Sequence, residues 1–403
     1  AVCVEKGDGK RLRMTGKLDG ILCDRYFALP FFIFFIFAVF YVTFGSFGGF
    51  LSEKVGGFVS FLSENTEIFL LNIGTDKTVT SLFCDGVISG VGSVLSFVPV
   101  LLFLFAFLSF AEESGYSARA ALIFDGAMKK IGLSGRSVIP LLVGFGCSVP
   151  AILSTKGLSK KEKKRTVFAV PFMSCGAKTA VYSAFIPIFF PRRGFPTVLF
   201  LYLLGISVAV IFLCIRNVFG EKNAAEPYIS ELPLYRLPTF SDLFSRIFLR
   251  IRDFISKAFG IILLSSVAVW ALTNFDFSLC PAPAEESMLA AIGKAVSPLF
   301  FFCGFFSWQA TAAIISGFLS KESVVATLFV LTGKTGGLTS VFPSPLSAMS
   351  FLIFILLYPP CVASLSALKR ETGFFRTALA VLFQFAAALF ITSAFYGVST
   401  LFS

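Results

Sequence analysis

Two stretches of this sequence combine soft donor atoms with broken helices. Residues 141–152 read LLVGFGCSVPAI, an apolar run interrupted by Gly144, Gly146, Cys147, Ser148 and Pro150. Residues 170–181 read VPFMSCGAKTAV, with Pro171, Ser174, Cys175, Gly176 and Lys178 inside an otherwise apolar run. Glycine frees φ and proline lacks an N–H, so each run should break as a helix and leave backbone groups without partners. In a bilayer such a break survives only where protein or a water-filled cavity covers it. Paired broken helices are the sequence pointer to a transporter's substrate site.

The thiols suggest what that substrate is. Cys147 and Cys175 sit at the two breaks, and Cys361 ends the run YPPC at 358–361. Thiolates suit soft and intermediate metal ions, and a thiolate places negative charge against a dication in low dielectric. A closed four-thiolate cage would hold an ion too tightly to release it. A few thiols mixed with backbone carbonyls would bind and let go. The plain alternative is that each cysteine is a small buried hydrophobe, as free cysteines commonly are. Cys3, Cys23, Cys84, Cys214, Cys280 and Cys303 lie at no comparable break and read as structural; the nine cysteines include no CxxC pair.

The elements that must position these residues are membrane helices. The chain has 403 residues, 56% of them hydrophobic, including 54 phenylalanines. Its mean hydropathy is +0.86. Ordinary soluble domains are about 45–50% apolar. Apolar runs of about 17 or more residues recur, each long enough for a hydrocarbon layer of roughly 30 Å. An all-α polytopic membrane protein is expected, with about 7–8 transmembrane helices and two re-entrant or broken gate segments. Residues 1–25 read as a cytoplasmic lead-in and 26–403 as a single transmembrane domain. The net charge of +11 comes from basic clusters beside apolar runs, which is the positive-inside bias, so nucleic-acid binding is not needed to explain it. Histidine is absent, so any metal site must use sulfur, carboxylate, hydroxyl or backbone oxygen. No signal-peptide pattern precedes residue 27 and the chain opens on Ala1, which reads as a fragment.

Charge orders the segments. Basic clusters at 1–25, 156–165, 216–257 and 369–376 predict a cytoplasmic N-terminus, while 45–78 and 274–286 read as outside. Spans are expected at 27–44, 86–110, 166–190, 197–215, 259–272, 346–368 and 377–398. Gly86 and Gly90 would let helices approach closely, and Pro99 predicts a kink. Residues 118–131 have the 3.6 period of a helix lying at the interface. The first break has inside signals on both flanks, so 137–155 reads as a re-entrant hairpin. The interrupted stretch 288–331 would enter from the opposite side. The halves, about 86–190 and 258–368, therefore suggest an inverted repeat.

Charged residues in apolar runs are costly and mark function by default. Lys321 and Glu322 either sit at an interface or pair to hold a gate closed. Glu113, with Tyr116 and Arg119, either clamps the inner mouth or starts an interfacial helix. Lys178 would repel a cation, so it is expected to neutralise a carboxylate or to snorkel.

These motifs together resemble the membrane portion of the bacterial ferrous iron transporter B family (FeoB). GLSGRSVIPLLVGFGCSVPAI at 132–152 is similar to that family's first gate motif, and VPFMSCGA at 170–177 to the next. EESGYSARAA at 112–121 is similar to the helix start before them. SWQATAAIISGFLSKESVVATL at 307–328 resembles the second gate, with Lys321 and Glu322 on its lysine–glutamate pair. YPPCVASLSALKRETG at 358–373 resembles the last signature, with Cys361 on the family cysteine. The resemblance implies ferrous iron as transported substrate, no tightly bound cofactor, and a multi-pass protein of the bacterial plasma (inner) membrane.

The resemblance also implies an N-terminal G-protein domain, which these residues do not contain. The only GK[ST] is Gly333-Lys334-Thr335, and Leu328 stands where a phosphate loop needs glycine. The expectation is a split or truncated form with no GTPase activity in this chain. Its expected partners are a separate G-protein domain and a small SH3-like protein, with a homo-oligomer left open. Competing functions are a gate-fold transporter of another divalent metal or of an organic solute such as a nucleoside, and a non-transporting membrane sensor.

Overall fold

A computed structural model describes residues 9–22, 24, 26–219, 233–236, 238–278, 280–332 and 337–401. Cys3, Cys23 and the Gly333-Lys334-Thr335 run lie outside the described residues. Everything described is helix or connection, with no strand. Seven helical stretches are long and apolar enough to cross a membrane, or up to eight if a bent pair counts as one span. This is the expected all-α polytopic membrane protein.

The chain opens with α1 (Gly9–Leu22), α2 (Ala28–Phe44) and α3 (Ser46–Asn72). Here the structure adds to the sequence reading. Residues 46–72, for which that reading gave a side but no helix, form a helix that prolongs α2. After the short α4 (Lys77–Ser81) and a π-helical stretch Leu82–Ile88 comes α5 (Ser89–Glu113), with Pro99 inside it. The helix α3 packs along α5: Ser52 Oγ donates to the Ser96 carbonyl at 2.6 Å. Gly92 faces Val59, and a Cβ there would come within 2.2 Å of its side chain.

Next, α6 (Tyr116–Lys130) is the expected amphipathic helix. It leads to α7 (Val138–Gly146) and α8 (Ser148–Ser154), then α9 (Lys160–Ala169), α10 (Gly176–Phe189) and α11 (Gly194–Phe219). Ser137 Oγ, before α7, donates to Glu162 Oε1 at 2.9 Å and accepts from Thr166 Oγ1 at 3.1 Å, both beyond α8. The chain thus leaves 138–154 on the side where it entered, which is the re-entrant hairpin.

The second half is α12 (Phe240–Asn274), α13 (Met288–Val296), α14 (Trp308–Leu319), α15 (Ser323–Thr332), α16 (Leu338–Val341), α17 (Pro345–Leu357), α18 (Val362–Thr372) and α19 (Phe374–Leu401). Met288–Cys303 and Trp308–Leu319 meet at 102°. Gly304, with φ at +79°, makes that corner, and a Cβ there would lie 2.2 Å from the Tyr396 ring. Thr327 Oγ1 donates to Ser316 Oγ at 2.9 Å, so α14 and α15 form a second hairpin. One order of elements therefore occurs twice: span, short helix, hairpin, broken span, span. The long spans α5 and α12 meet at Gly90, where a Cβ would lie 2.6 Å from Ser266, so the small-residue contact read from the sequence exists.

The core lies around α17. Residues Phe351–Leu357 are each at most 1% exposed, as expected of a helix that is hydrophobic all round. Aromatic rings knit it to its neighbours, with Phe342 and Phe185 at 4.8 and 5.2–5.4 Å from Phe351 or each other.

Candidate functional site

Each hairpin and each broken span is interrupted where the sequence removes a helical residue. Cys147 is fully extended between α7 and α8, with φ −154° and ψ 133°. Ser320 takes the matching place after α14, with φ −143° and ψ 123°. Cys175 precedes α10 and Cys361 precedes α18, with ψ of 165° and 158°. The second repeat thus copies the backbone of the first, with serine where the first has Cys147.

The four breaks converge on one cavity of about 90 Å³. Its wall includes Gly146, Cys147, Ser148, Cys175, Ser320, Lys321, Glu322 and Cys361. Cys147 has Cys175, Cys361 and Glu322 as titratable neighbours. The three thiols share this space, but among the described residues no three Cys, Asp or Glu side chains stand close enough to hold one ion together. Glu322 makes no hydrogen bond or ion pair in the described structure, so its carboxyl is available to the cavity. Of the two alternatives for Lys321 and Glu322, the pairing is not formed.

The lysines do something the sequence reading did not anticipate. A helical carbonyl accepts from the N–H four residues on. For Ile355 and Leu356 those residues are Pro359 and Pro360, which have none. Lys178 Nζ fills the gap at Leu356, donating to its carbonyl at 2.7 Å and to those of Pro171 and Met173 at 2.8 and 2.9 Å. It therefore neither neutralises a carboxylate nor snorkels; it satisfies freed carbonyls of both broken spans. Lys321 approaches the Ile355 and Tyr358 carbonyls at 3.4 and 3.5 Å and lies 3.7 Å from the centre of the Tyr358 ring. Both ammonium groups are thus turned to backbone.

Of the other expected site residues, Gly146 belongs to the cavity wall and the rest lie outside it. Gly144 packs against Met173, and Gly146 is pressed on Leu104, where a Cβ would approach to 2.6 Å. Ser174 is buried 3.4 Å from the Tyr182 hydroxyl. Gly176 opens α10. Pro150 faces a separate hollow. Glu113 is far along α5 and pairs with Arg246 at 2.6 Å. Tyr116 and Arg119 belong to the same corner: the buried Arg119 guanidinium donates to Asp19 at 2.6 and 3.1 Å and to the Gly115 and Pro233 carbonyls at 2.9 and 2.7 Å.

Paired hairpins and broken spans closing on one cavity define a multi-pass membrane protein of the gate type. A family model described as "Nucleoside recognition" (Gate) matches residues 94–189 and 255–375, more than half the chain. A second, "Ferrous iron transport protein B C terminus", matches 198–250. The chain is 36% identical over 402 residues to an "Fe(2+) transporter FeoB" of Staphylococcus aureus, covering 98% of this chain and 60% of that one. It is 36% identical over 397 residues to a protein of the same name from Methanocaldococcus jannaschii, covering 94% and 58%. The Campylobacter jejuni counterpart is 32% identical over 381 residues, covering 89% and 61%. No solved structure matches. The chain belongs to the Gate family and corresponds to the membrane portion of the ferrous iron transporter B proteins; it spans about 60% of the length of such relatives.

Proposed function

We propose that this chain carries ferrous iron across the bacterial plasma membrane, through the cavity where the four breaks meet. The observation that supports the reading is the wall itself: three thiols and an unpaired carboxyl around about 90 Å³. A water occupies about 30 Å³ of liquid, whereas sites for drug-sized ligands are roughly 300–1,000 Å³. The space suits an ion with a remnant of its hydration shell better than it suits a nucleoside. The wall also offers few amide or carboxylate groups for hydrogen-bonding an organic solute.

On this reading Cys147, Cys175 and Cys361 supply soft donors in turn, and Glu322 supplies negative charge. Ligand thiols must lose their protons, so ion entry displaces protons from the wall. Because the thiols do not stand as a closed set, the ion is held by few donors at once and moves on. Lys178 and Lys321 keep the breaks open by satisfying carbonyls the ion would otherwise have to satisfy. The basic side is cytoplasmic and carries the N-terminus. GTP hydrolysis is assigned to a G-protein domain outside these residues, whether split off or upstream, with a small SH3-like partner.

The test is ferrous iron uptake under anaerobic, reducing conditions by vesicles carrying the parent, Cys147→Ser, Cys175→Ser or both. The hydroxyl keeps size and removes the soft donor, so uptake should fall by at least about tenfold, the scale of losing support for a metal site. Parental rates in all three variants would make the cysteines packing residues. Absence of any metal-dependent uptake would favour a sensor.

A further inference from the structure

A second hollow of about 510 Å³ lies towards the basic side, lined by Glu112, Pro150, Ser154, Lys156, Arg250 and Asp253 among others. It is wider than the cysteine cavity and carries charged side chains on an otherwise largely apolar wall. One residue borders both: Phe254 of α12. It is 8% exposed and packs in a cluster with Leu101, Leu104, Phe105 and Val149. Leu101, Leu104 and Val149 are themselves cavity wall, and Phe105 is vestibule wall. The ring thus stands in the partition between the two spaces.

The helix that carries the ring is latched on the same stripe. Residues four apart share a helical face, so Arg246, Arg250 and Phe254 lie in line along α12. Arg246 Nε pairs with Glu113 Oε1 at 2.6 Å, and Arg250 Nη2 with Glu112 Oε2 at 2.6 Å. Both acids end α5, whose Leu101 and Leu104 receive the ring. Two ion pairs at the foot of α12 therefore fix the rotation and height of Phe254 against α5. Only Arg246 is well exposed; Glu113 is buried and the Glu112–Arg250 pair is part-exposed, and two pairs in register fix an orientation that one would not.

We propose that Phe254 is the inner gate between the cysteine cavity and the vestibule on the basic side, positioned by the Glu112–Arg250 and Glu113–Arg246 pairs. Swinging the ring away, by freeing the foot of α12 from the end of α5, joins the two spaces. The gate's meaning for transport rests on the iron-path reading, but its existence is a matter of access and is measured without iron.

The experiment follows the reaction of one thiol with a charged methanethiosulfonate in purified, detergent-solubilised full chain. In one background only Cys147 is kept and the other cysteines become serine; in a second only Cys303 is kept, a buried thiol remote from the cavity. Reaction at a buried group reads local opening, so Phe254→Ala should speed modification of Cys147 by about tenfold or more. Cys303 should not change. Phe254→Trp should react no faster than the parent. Should Phe254→Ala fail to fold, Arg246→Gln with Arg250→Gln leaves the ring intact and should still raise the Cys147 rate several-fold. An unchanged Cys147 rate in the folded variants overturns the gate, as does a parallel rise at Cys303, which would mean general loosening. Faster Cys147 reaction with no iron uptake by any variant or the parent supports the gate and counts against the iron reading.

Discussion

Replacing Lys178 by methionine tests how the two broken spans are held. Methionine nearly matches the lysine stem but carries no donor. Three buried carbonyls, of Pro171, Met173 and Leu356, lose their partner. Each buried carbonyl left without a partner costs about 1–3 kcal/mol, so the three together amount to about 3–9 kcal/mol. Against this, the buried ammonium costs several kcal/mol in lost hydration, which methionine does not bear. The balance is a loss of about 2–4 kcal/mol. Leu356 cannot recover, because Pro360 has no N–H to offer its carbonyl. Thermal unfolding in detergent, followed by circular dichroism, should show the midpoint lowered by on the order of 5 °C. Lys160→Met, at an exposed lysine, should leave it unchanged. A Lys178→Met protein as stable as the parent would refute the reasoning, since the three contacts would then do no more than offset the burial of the charge.

Two further outcomes follow from the corner below the first hairpin. A Cβ on Gly135 would lie 1.7 Å from the Ala121 carbonyl oxygen, whereas one on Gly126 meets nothing within 4 Å. Gly135→Ala should therefore destabilise by about 2–3 kcal/mol through overpacking, while Gly126→Ala should stabilise α6 by roughly 0.5–1 kcal/mol; equal unfolding midpoints for the two would contradict the packing described. Asp125 accepts from the Gly135 N–H at 3.0 Å and pairs with Lys129 at 2.6 Å. Burial pushes its carboxyl up, but these partners outweigh it and hold it below its ordinary value. A carboxyl lowered on folding stabilises above its unfolded value and stops doing so as pH falls through the folded one. The stability difference between parent and Asp125→Asn should be constant above about pH 5 and shrink below about pH 4; a difference that grows on acidification would reverse the sign.

Much of this was legible in local chemistry. The break at Cys147 followed from glycine and proline in an apolar run, and the hairpin from basic residues on both flanks. The helix α6 followed from its period. The helix α3 was not legible, because Glu53, Lys54, Glu64 and Glu67 among glycines and serines give it the composition of a loop. What makes it helical is packing against α5, a tertiary fact. The role of Lys178 was hidden for the same reason. Its sequence showed a charge in an apolar run, but the carbonyl that recruits it belongs to Leu356, 178 positions later. Glu113 was singled out, yet nothing near it named Arg246. Phe254 could be read only as one of the apolar residues on an amphipathic stretch, since one phenylalanine among 54 is distinguished further only by where it ends up.

The two halves share an order of elements but not a set of side chains. At the hairpin tips, the position of Cys147 in one half is Ser320 in the other, followed by Lys321 and Glu322 where the first has Ser148 and Val149. A duplicated scaffold whose copies were chemically alike would look the same from either face of the bilayer. At the hairpin tips one copy contributes sulfur and the other a carboxyl, while the broken spans add a matched pair of thiols, Cys175 and Cys361, so whatever enters the centre meets a division of labour at the tips alone. Polarity in such a molecule is written in a handful of substitutions between twins, and neither half can stand in for the other when one of those residues is lost.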